Sequence, residues 1–179
     1  MERCRIVFSG SGGQGVITAA ILLAEAAVIE EGLNAVQTQV YGAAARGGAT
    51  RSDVIVAEEE IFFPKVIQPN VLVCLTQEAY NKFYPIIRPG GLLLTDPRYV
   101  QTERKVDARQ RELEMFRTVM DRIGKPIVFN ICMLGAIITL TGLIKPESIM
   151  KMLERRLPSA FIDMNRQALE IGIELAAAA

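Results

Sequence analysis

The sequence predicts an α/β fold, a central sheet with helices on both faces, and three observations carry that expectation. The run Ile6-Val7-Phe8 stops at four glycines among residues 10–15, and a long segment rich in Ala and Leu begins at once. That succession is a strand, a tight turn and the start of a helix. Uncharged runs suited to a sheet interior recur at Val71-Leu72-Val73-Cys74-Leu75 and Leu92-Leu93-Leu94-Thr95. The strand-like run Ser52-Asp53-Val54-Ile55-Val56-Ala57 is followed by Glu58-Glu59-Glu60 and then by Ile61-Phe62-Phe63. A gap that short permits only antiparallel pairing, so the sheet is expected to be mixed. The order βαβ, antiparallel insertion, then βα units predicts a three-layer α/β/α sandwich on a Rossmann-like mixed sheet. At 179 residues a single domain, 1–179, is expected.

Each element has its own justification. Between residues 14 and 24 only Gln14 and Thr18 are polar, so the first helix is expected to be buried on most sides, ending at Glu30-Glu31-Gly32. A second strand reads Asn34-Ala35-Val36-Gln37-Thr38-Gln39-Val40, and Pro64 interrupts the returning strand begun at Ile61. Thr76 suits a helix N-cap, with Glu78 favouring the dipole; Ala79, Phe83, Ile86 and Ile87 follow at helical spacing. Arg88-Pro89-Gly90-Gly91 is a turn. Residues 108–123 place Leu113, Phe116, Met120 and Ile123 on one face, an amphipathic helix closed by Gly124-Lys125-Pro126. Ile127-Val128-Phe129-Asn130 reads as a further strand. Residues 131–144 contain no charge, too short for a membrane span of about 20 residues, and read as a second helix without a polar face. Pro146 opens another helix, and a last one from about residue 160 turns Phe161, Met164, Ala168, Ile171 and Leu175 inward.

Composition excludes several classes. Lys and Arg balance Asp and Glu at 20 each, so no basic excess exists for a nucleic-acid backbone, and little charge opposes self-association of the isolated chain. Cys4, Cys74 and Cys132 are widely spaced and odd in number, which fits neither a disulfide framework nor a metal or cluster motif; a reducing cytoplasm is the expected location. With no charged-then-apolar leader, the chain reads directly into its first strand. There is no histidine, so Ser-His-Asp and Cys-His catalysis and histidine metal sites are impossible within this polypeptide.

Gly10, Gly12 and Gly15 satisfy G-x-G-x-x-G in register, and the free N–H groups of a helix start favour an anion. The second strand carries no carboxylate for a ribose, which counts against NAD, and no Lys-Ser or Lys-Thr follows the glycines, which excludes a P-loop. A turn that binds nothing is the competing account. Residues 41–51 form the other telling stretch: Ala43, Ala44, Ala45, Gly47 and Gly48 offer a smooth surface, and Arg46 could hold a carboxylate or phosphate there. Asp53 and Asp96 read as structural or solvated carboxylates, and Cys74 and Cys132 as small core residues.

These stretches together carry a resemblance. The turn Gly10-Ser11-Gly12-Gly13-Gln14-Gly15 is followed by Val36-Gln37-Thr38-Gln39-Val40-Tyr41-Gly42, Arg46-Gly47-Gly48, Phe63-Pro64-Lys65-Val66, Leu75-Thr76-Gln77-Glu78-Ala79-Tyr80 and Asn130-Ile131-Cys132-Met133-Leu134-Gly135. In that order they resemble, over essentially the whole chain, the gamma subunit of 2-oxoacid:ferredoxin (or acceptor) oxidoreductases. The spelling is most like the 2-oxoglutarate type, with pyruvate and ketoisovalerate types next. The chain departs from the family at Ala43-Ala44, where Pro-Glu or similar residues are usual. The resemblance implies a subunit without a complete active site. Alpha, beta and, in some complexes, delta subunits would bind thiamine diphosphate, Mg2+ and iron–sulfur clusters, and ferredoxin would accept the electrons. This chain would bind no cofactor tightly but shape the coenzyme A region. Gly10, Gly12, Gly13, Gln14, Gly15, Tyr41, Arg46, Gly47 and Gly48 are then the candidate contacts, with the coenzyme's diphosphate at the turn. A stand-alone Rossmann-type nucleotide-binding enzyme or sensor is the alternative.

Overall fold

The computed structural model describes residues 3–40, 49–102 and 106–179. Six strands form one mixed sheet: β1 (Cys4–Gly10), β2 (Asn34–Val40), β3 (Thr50–Ala57), β4 (Val71–Cys74), β5 (Gly91–Thr95) and β6 (Ala108–Glu112), in the spatial order β2-β3-β1-β4-β5-β6. β3 pairs antiparallel with both β1 and β2, while β1–β4, β4–β5 and β5–β6 are parallel. The mixed sheet is as expected, but its antiparallel member is β3 itself, wedged between β2 and β1. Ile61-Phe62-Phe63 form no strand: Pro64 offers no N–H to a ladder, and Phe62 and Phe63 face solvent.

The helices are α1 (Val16–Ile29), α2 (Gln77–Phe83), α3 (Met115–Arg122), α4 (Phe129–Thr141), α5 (Pro146–Arg156) and α6 (Ile162–Ala177). Helices cover both faces unequally. Ile6, Phe8, Val54, Val73 and Leu94 point into a large core with α1, α3, α4, α5 and α6, whereas Val7, Ile55, Leu72 and Leu93 meet Ala79, Tyr80 and Phe83 of α2. Strand alternation thus sends successive side chains into two separate cores.

Three sequence expectations are corrected here. Residues 108–123 are not one helix: Ala108–Glu112 is the outer strand β6, and the helix begins only at Met115. β6 reads Ala-Arg-Gln-Arg-Glu because an edge strand needs little apolar surface; its backbone pairing with β5 defines it. Residues 127–130 are not a strand but a 3-10 turn (Pro126–Val128) running into α4, since a short buried apolar run is equally compatible with a helix start. Phe161 is half exposed in the 3-10 turn Ser159–Phe161, outside the inward stripe of α6 that Ala168 and Ile171 do occupy.

α1 and α4 are the two helices without a polar face, and both are largely buried. α4 crosses α6 in backbone contact. Gly135 and Gly172 sit where any Cβ would overlap carbonyl oxygens of the opposite helix, those of Leu169 and Cys132. α5 is joined to α1 by ion pairs: Glu30 with Lys151 at 2.8 Å and Arg155 at 2.7 Å, Glu31 with Lys145 at 3.9 Å, and Glu25 with Arg156. Among the described residues no helix is long and apolar enough to cross a membrane.

Candidate functional site

The glycine turn lies where β1 ends, between β3 and β4. α1 departs over one face of the sheet and α2, after β4, over the other. Adjacent parallel strands whose following helices go to opposite faces open a crevice at their carboxyl ends, the usual ligand position of open α/β sheets. Thr76 caps α2 at that edge, its hydroxyl accepting the Ala79 N–H at 3.1 Å.

Gln14 fixes the shape of the turn. Its side-chain oxygen accepts the Ser11 N–H at 2.8 Å, its amide nitrogen donates to the Leu75 carbonyl at 2.9 Å, and its own N–H reaches the Ser11 carbonyl at 3.3 Å. One side chain thus closes the loop on itself and ties it to the end of β4. A Cβ on Gly10 would come within 2.6 Å of the Gln14 side-chain oxygen, so glycine there makes room for this strap. Gly13 (φ 91°) and Gly15 (φ 70°) occupy the left-handed region that other residues rarely adopt. Gly15 is also crowded by Asn130 of α4, which donates to its carbonyl at 3.3 Å and would lie 2.7 Å from an added Cβ.

What remains unused is a set of donors. Among the described residues the N–H groups of Gly12, Gly13 and Gly15 meet no acceptor, α1 has no side-chain cap, and its first turn has no acid to offset the dipole. Among the described residues no atom lies within 4 Å of where a Cβ on Gly12 or Gly13 would sit. An uncapped helix start with free N–H groups has the geometry and the field that favour an anion. From Gly13 and Gly15 a cavity of about 510 Å³ continues between α1, α4 and the ends of α5 and α6; Leu22, Leu153, Leu157 and Met164 make its wall apolar, and Arg156 and Asn165 add polar points.

Gly10, Gly12, Gly13, Gln14 and Gly15 are therefore one unit, with Gln14 acting from behind the surface rather than on it. Tyr41, Arg46, Gly47 and Gly48 lie outside the described residues. The strand ends that flank them do not: Val40 pairs with Arg51, and Thr50 with Gly10, so both anchors are on the glycine-turn edge. Asn130 and the cavity are not legible in the sequence: the run 127–130 reads as a strand, and the approach of Asn130 to Gly15 spans 115 positions and leaves no local pattern.

The remaining ionisable groups nearby are structural. Asp53 forms a 2.6 Å pair with Arg51, which also holds the Val66 carbonyl. Asp96 accepts the N–H groups of Phe116 at 2.7 Å and Arg98 at 2.9 Å, and burial raises its carboxyl above the usual range despite these bonds. Burial pushes the Cys74 and Cys132 thiols up to about 12, far from the thiolate a nucleophile needs.

An α/β sheet with a glycine turn at the carboxyl ends of its parallel strands is the architecture of the pyruvate ferredoxin/flavodoxin oxidoreductase family, to which the chain belongs; the family model matches residues 5–175. The 2-oxoglutarate synthase subunit KorC of Methanocaldococcus jannaschii is 42% identical over 97% of this chain and 94% of its own length. The pyruvate synthase subunit PorC of Methanothermobacter marburgensis is 30% identical over 94% and 95% of the two chains. The crystal structure of a keto/oxoacid ferredoxin oxidoreductase gamma subunit from Geobacter sulfurreducens superposes with a TM-score of 0.91 at 39% identity, covering 100% of this chain and 99% of that one. The relatives are thus subunits of oxidoreductase complexes.

Proposed function

We propose that this chain is the gamma subunit of a 2-oxoglutarate:ferredoxin oxidoreductase, acting in the coenzyme A region of the complex. The reaction is oxidative decarboxylation of the 2-oxoacid with coenzyme A to acyl-CoA, CO2 and reduced ferredoxin. The observation that carries the reading is 42% identity, over nearly the full length of both chains, to a 2-oxoglutarate synthase subunit. The lack of histidine agrees with it, since the chain holds no obvious acid–base machinery. Thiamine diphosphate, Mg2+ and the iron–sulfur clusters belong to alpha, beta and delta subunits in this reading, and supply the carbanion and electron chemistry.

The turn fits a diphosphate. Gly12, Gly13 and Gly15 offer backbone N–H groups, α1 adds its dipole, and no atom of the described residues crowds Gly12 or Gly13. In this reading Arg46 would add a charge-assisted contact, and Tyr41, Gly47 and Gly48 are further candidate contacts. The apolar cavity behind Gly13 suits the uncharged part of an elongated coenzyme, and Gln14 and Asn130 keep the turn in register.

The test is anaerobic affinity capture of the tagged chain from its native extract, with mass spectrometry and 2-oxoacid-dependent dye reduction. Co-purification of thiamine- and cluster-binding subunits, with 2-oxoglutarate the best of several 2-oxoacids, is the expected result. A chain recovered alone with a tightly bound nucleotide overturns the proposal in favour of a stand-alone nucleotide-binding protein.

A further inference from the structure

The end of the sheet opposite the glycine turn carries a surface that the coenzyme role leaves unused. The connection from β3 to β4, residues 58–70, has no regular secondary structure, yet it is fastened at several points. Val66 is buried in the smaller core and Arg51, itself fixed by Asp53, donates to its carbonyl at 2.9 Å. Arg88 N–H reaches the Pro69 carbonyl at 3.2 Å, and Asn70 exchanges hydrogen bonds with the backbone of Arg5. From this held segment the largest apolar side chains turn outward: Phe62 is 83% exposed, Ile67 69% and Phe63 53%. Large apolar groups held towards water by a braced backbone mark a surface that another body covers.

The charge around them identifies that body. A concavity of about 690 Å³ beside Phe63 and Ile67 is lined by Arg5, Lys65 and Arg88, with no carboxylate among the described residues of its wall. Among the described residues none of the three cations has an ionic partner. The whole chain is electrically neutral, so three unpaired cations at one place are a local segregation of charge. A two-fold axis through the patch itself would bring a hollow against a hollow and cations against cations, which complementarity disfavours. A different protein, with an apolar knob rimmed by Asp and Glu, satisfies both the shape and the charge.

We infer that the patch formed by Phe62, Phe63, Ile67, Arg5, Lys65 and Arg88 docks an acidic-rimmed face of a partner subunit of the oxidoreductase complex. The inference rests on the proposed function, which supplies such subunits. The apolar side chains form the centre of the contact and the cations its rim. Glu58, Glu59 and Glu60, exposed and next in sequence to the patch, disfavour an acidic partner surface on that side.

The experiment uses the assembled complex. A photo-crosslinking residue replaces Phe62 in one sample and Glu147, on the outer surface of α5, in another. Separately, Lys65→Glu and Arg88→Glu are combined and co-expressed with the partner subunits. The expected results are a crosslink from position 62, not 147, to an acidic surface of a partner subunit, and at least a tenfold loss of the charge-reversed chain from the assembly, with its thermal midpoint unchanged in isolation. A crosslink from position 62 to a second copy of this chain overturns the inference, as does full assembly of the charge-reversed chain. If the unaltered chain itself recovers no partner subunits, the proposed function fails; if it does and position 62 crosslinks to none of them, only the docking inference fails.

Discussion

Gly172 of α6 lies against the carbonyl oxygen of Cys132 in α4, so closely that a single added methyl group would overlap it. In an ordinary helix, replacing glycine by alanine stabilises by about 0.5–1 kcal/mol. Here the sign reverses, because the methyl has only rigid backbone to displace. Gly172→Ala is expected to cost about 3 kcal/mol, read as a lower urea midpoint. A variant as stable as the parent would show that α4 and α6 do not meet backbone to backbone.

Gln14 and Gly12 separate support from contact. Gln14→Leu removes the bonds to the Ser11 N–H and the Leu75 carbonyl, and is expected to cost about 1–3 kcal/mol in stability while also weakening coenzyme A binding. Gly12→Val meets no atom of the described residues and is expected to leave stability and assembly intact. If the turn receives the coenzyme, Gly12→Val raises the KM for coenzyme A roughly tenfold, a loss of about 1.4 kcal/mol. Unchanged kinetics in both variants would remove the turn from the site.

The α1–α5 ion pairs predict an acid limb in the stability profile. The Lys151 hydrogen bond lowers the Glu30 carboxyl, and the Ser148 hydrogen bond lowers that of Glu31, below their usual value. Groups whose folded pKa is depressed contribute in full above the unfolded value and lose the contribution as pH falls through the folded one. Thermal midpoints of the parent and Glu31→Gln should differ at pH 7, converge below about pH 4, and differ less in high salt. A gap independent of pH would mean that the Glu31 charge contributes nothing.

The three cysteines should be slow to react. Burial pushes the thiols of Cys4, Cys74 and Cys132 up to about 11, 12 and 12. At pH 8 a disulfide exchange reagent should label the native chain far more slowly than the urea-unfolded chain, which exposes all three thiols. Rapid stoichiometric labelling of the native protein would contradict the burial of Cys74 and Cys132.

Legibility in the sequence followed the range of the interaction. The glycine turn, α1 and the charge-free helix α4 were readable because local composition alone produces them: glycines where the backbone turns, apolar residues where no side meets water. β6 was hidden, since an edge strand of Arg and Gln has no apolar signature and exists through its pairing with β5. The position of β3 between β2 and β1 was equally invisible, because strand order is decided by contacts distant in sequence. The Gln14 strap and the Asn130 contact belong to the same class: each joins residues more than 60 positions apart.

β1 runs from Arg5, at the patch, to Gly10, at the turn, about 17 Å at the usual rise of a strand, and is hydrogen-bonded along both edges. Substitutions at two sites that far apart, with no shared partners, combine additively. If the proposed docking patch and coenzyme site are both real, they can drift separately: a lineage can exchange the complex it joins while keeping the residues of the turn, or reshape the turn without losing its place.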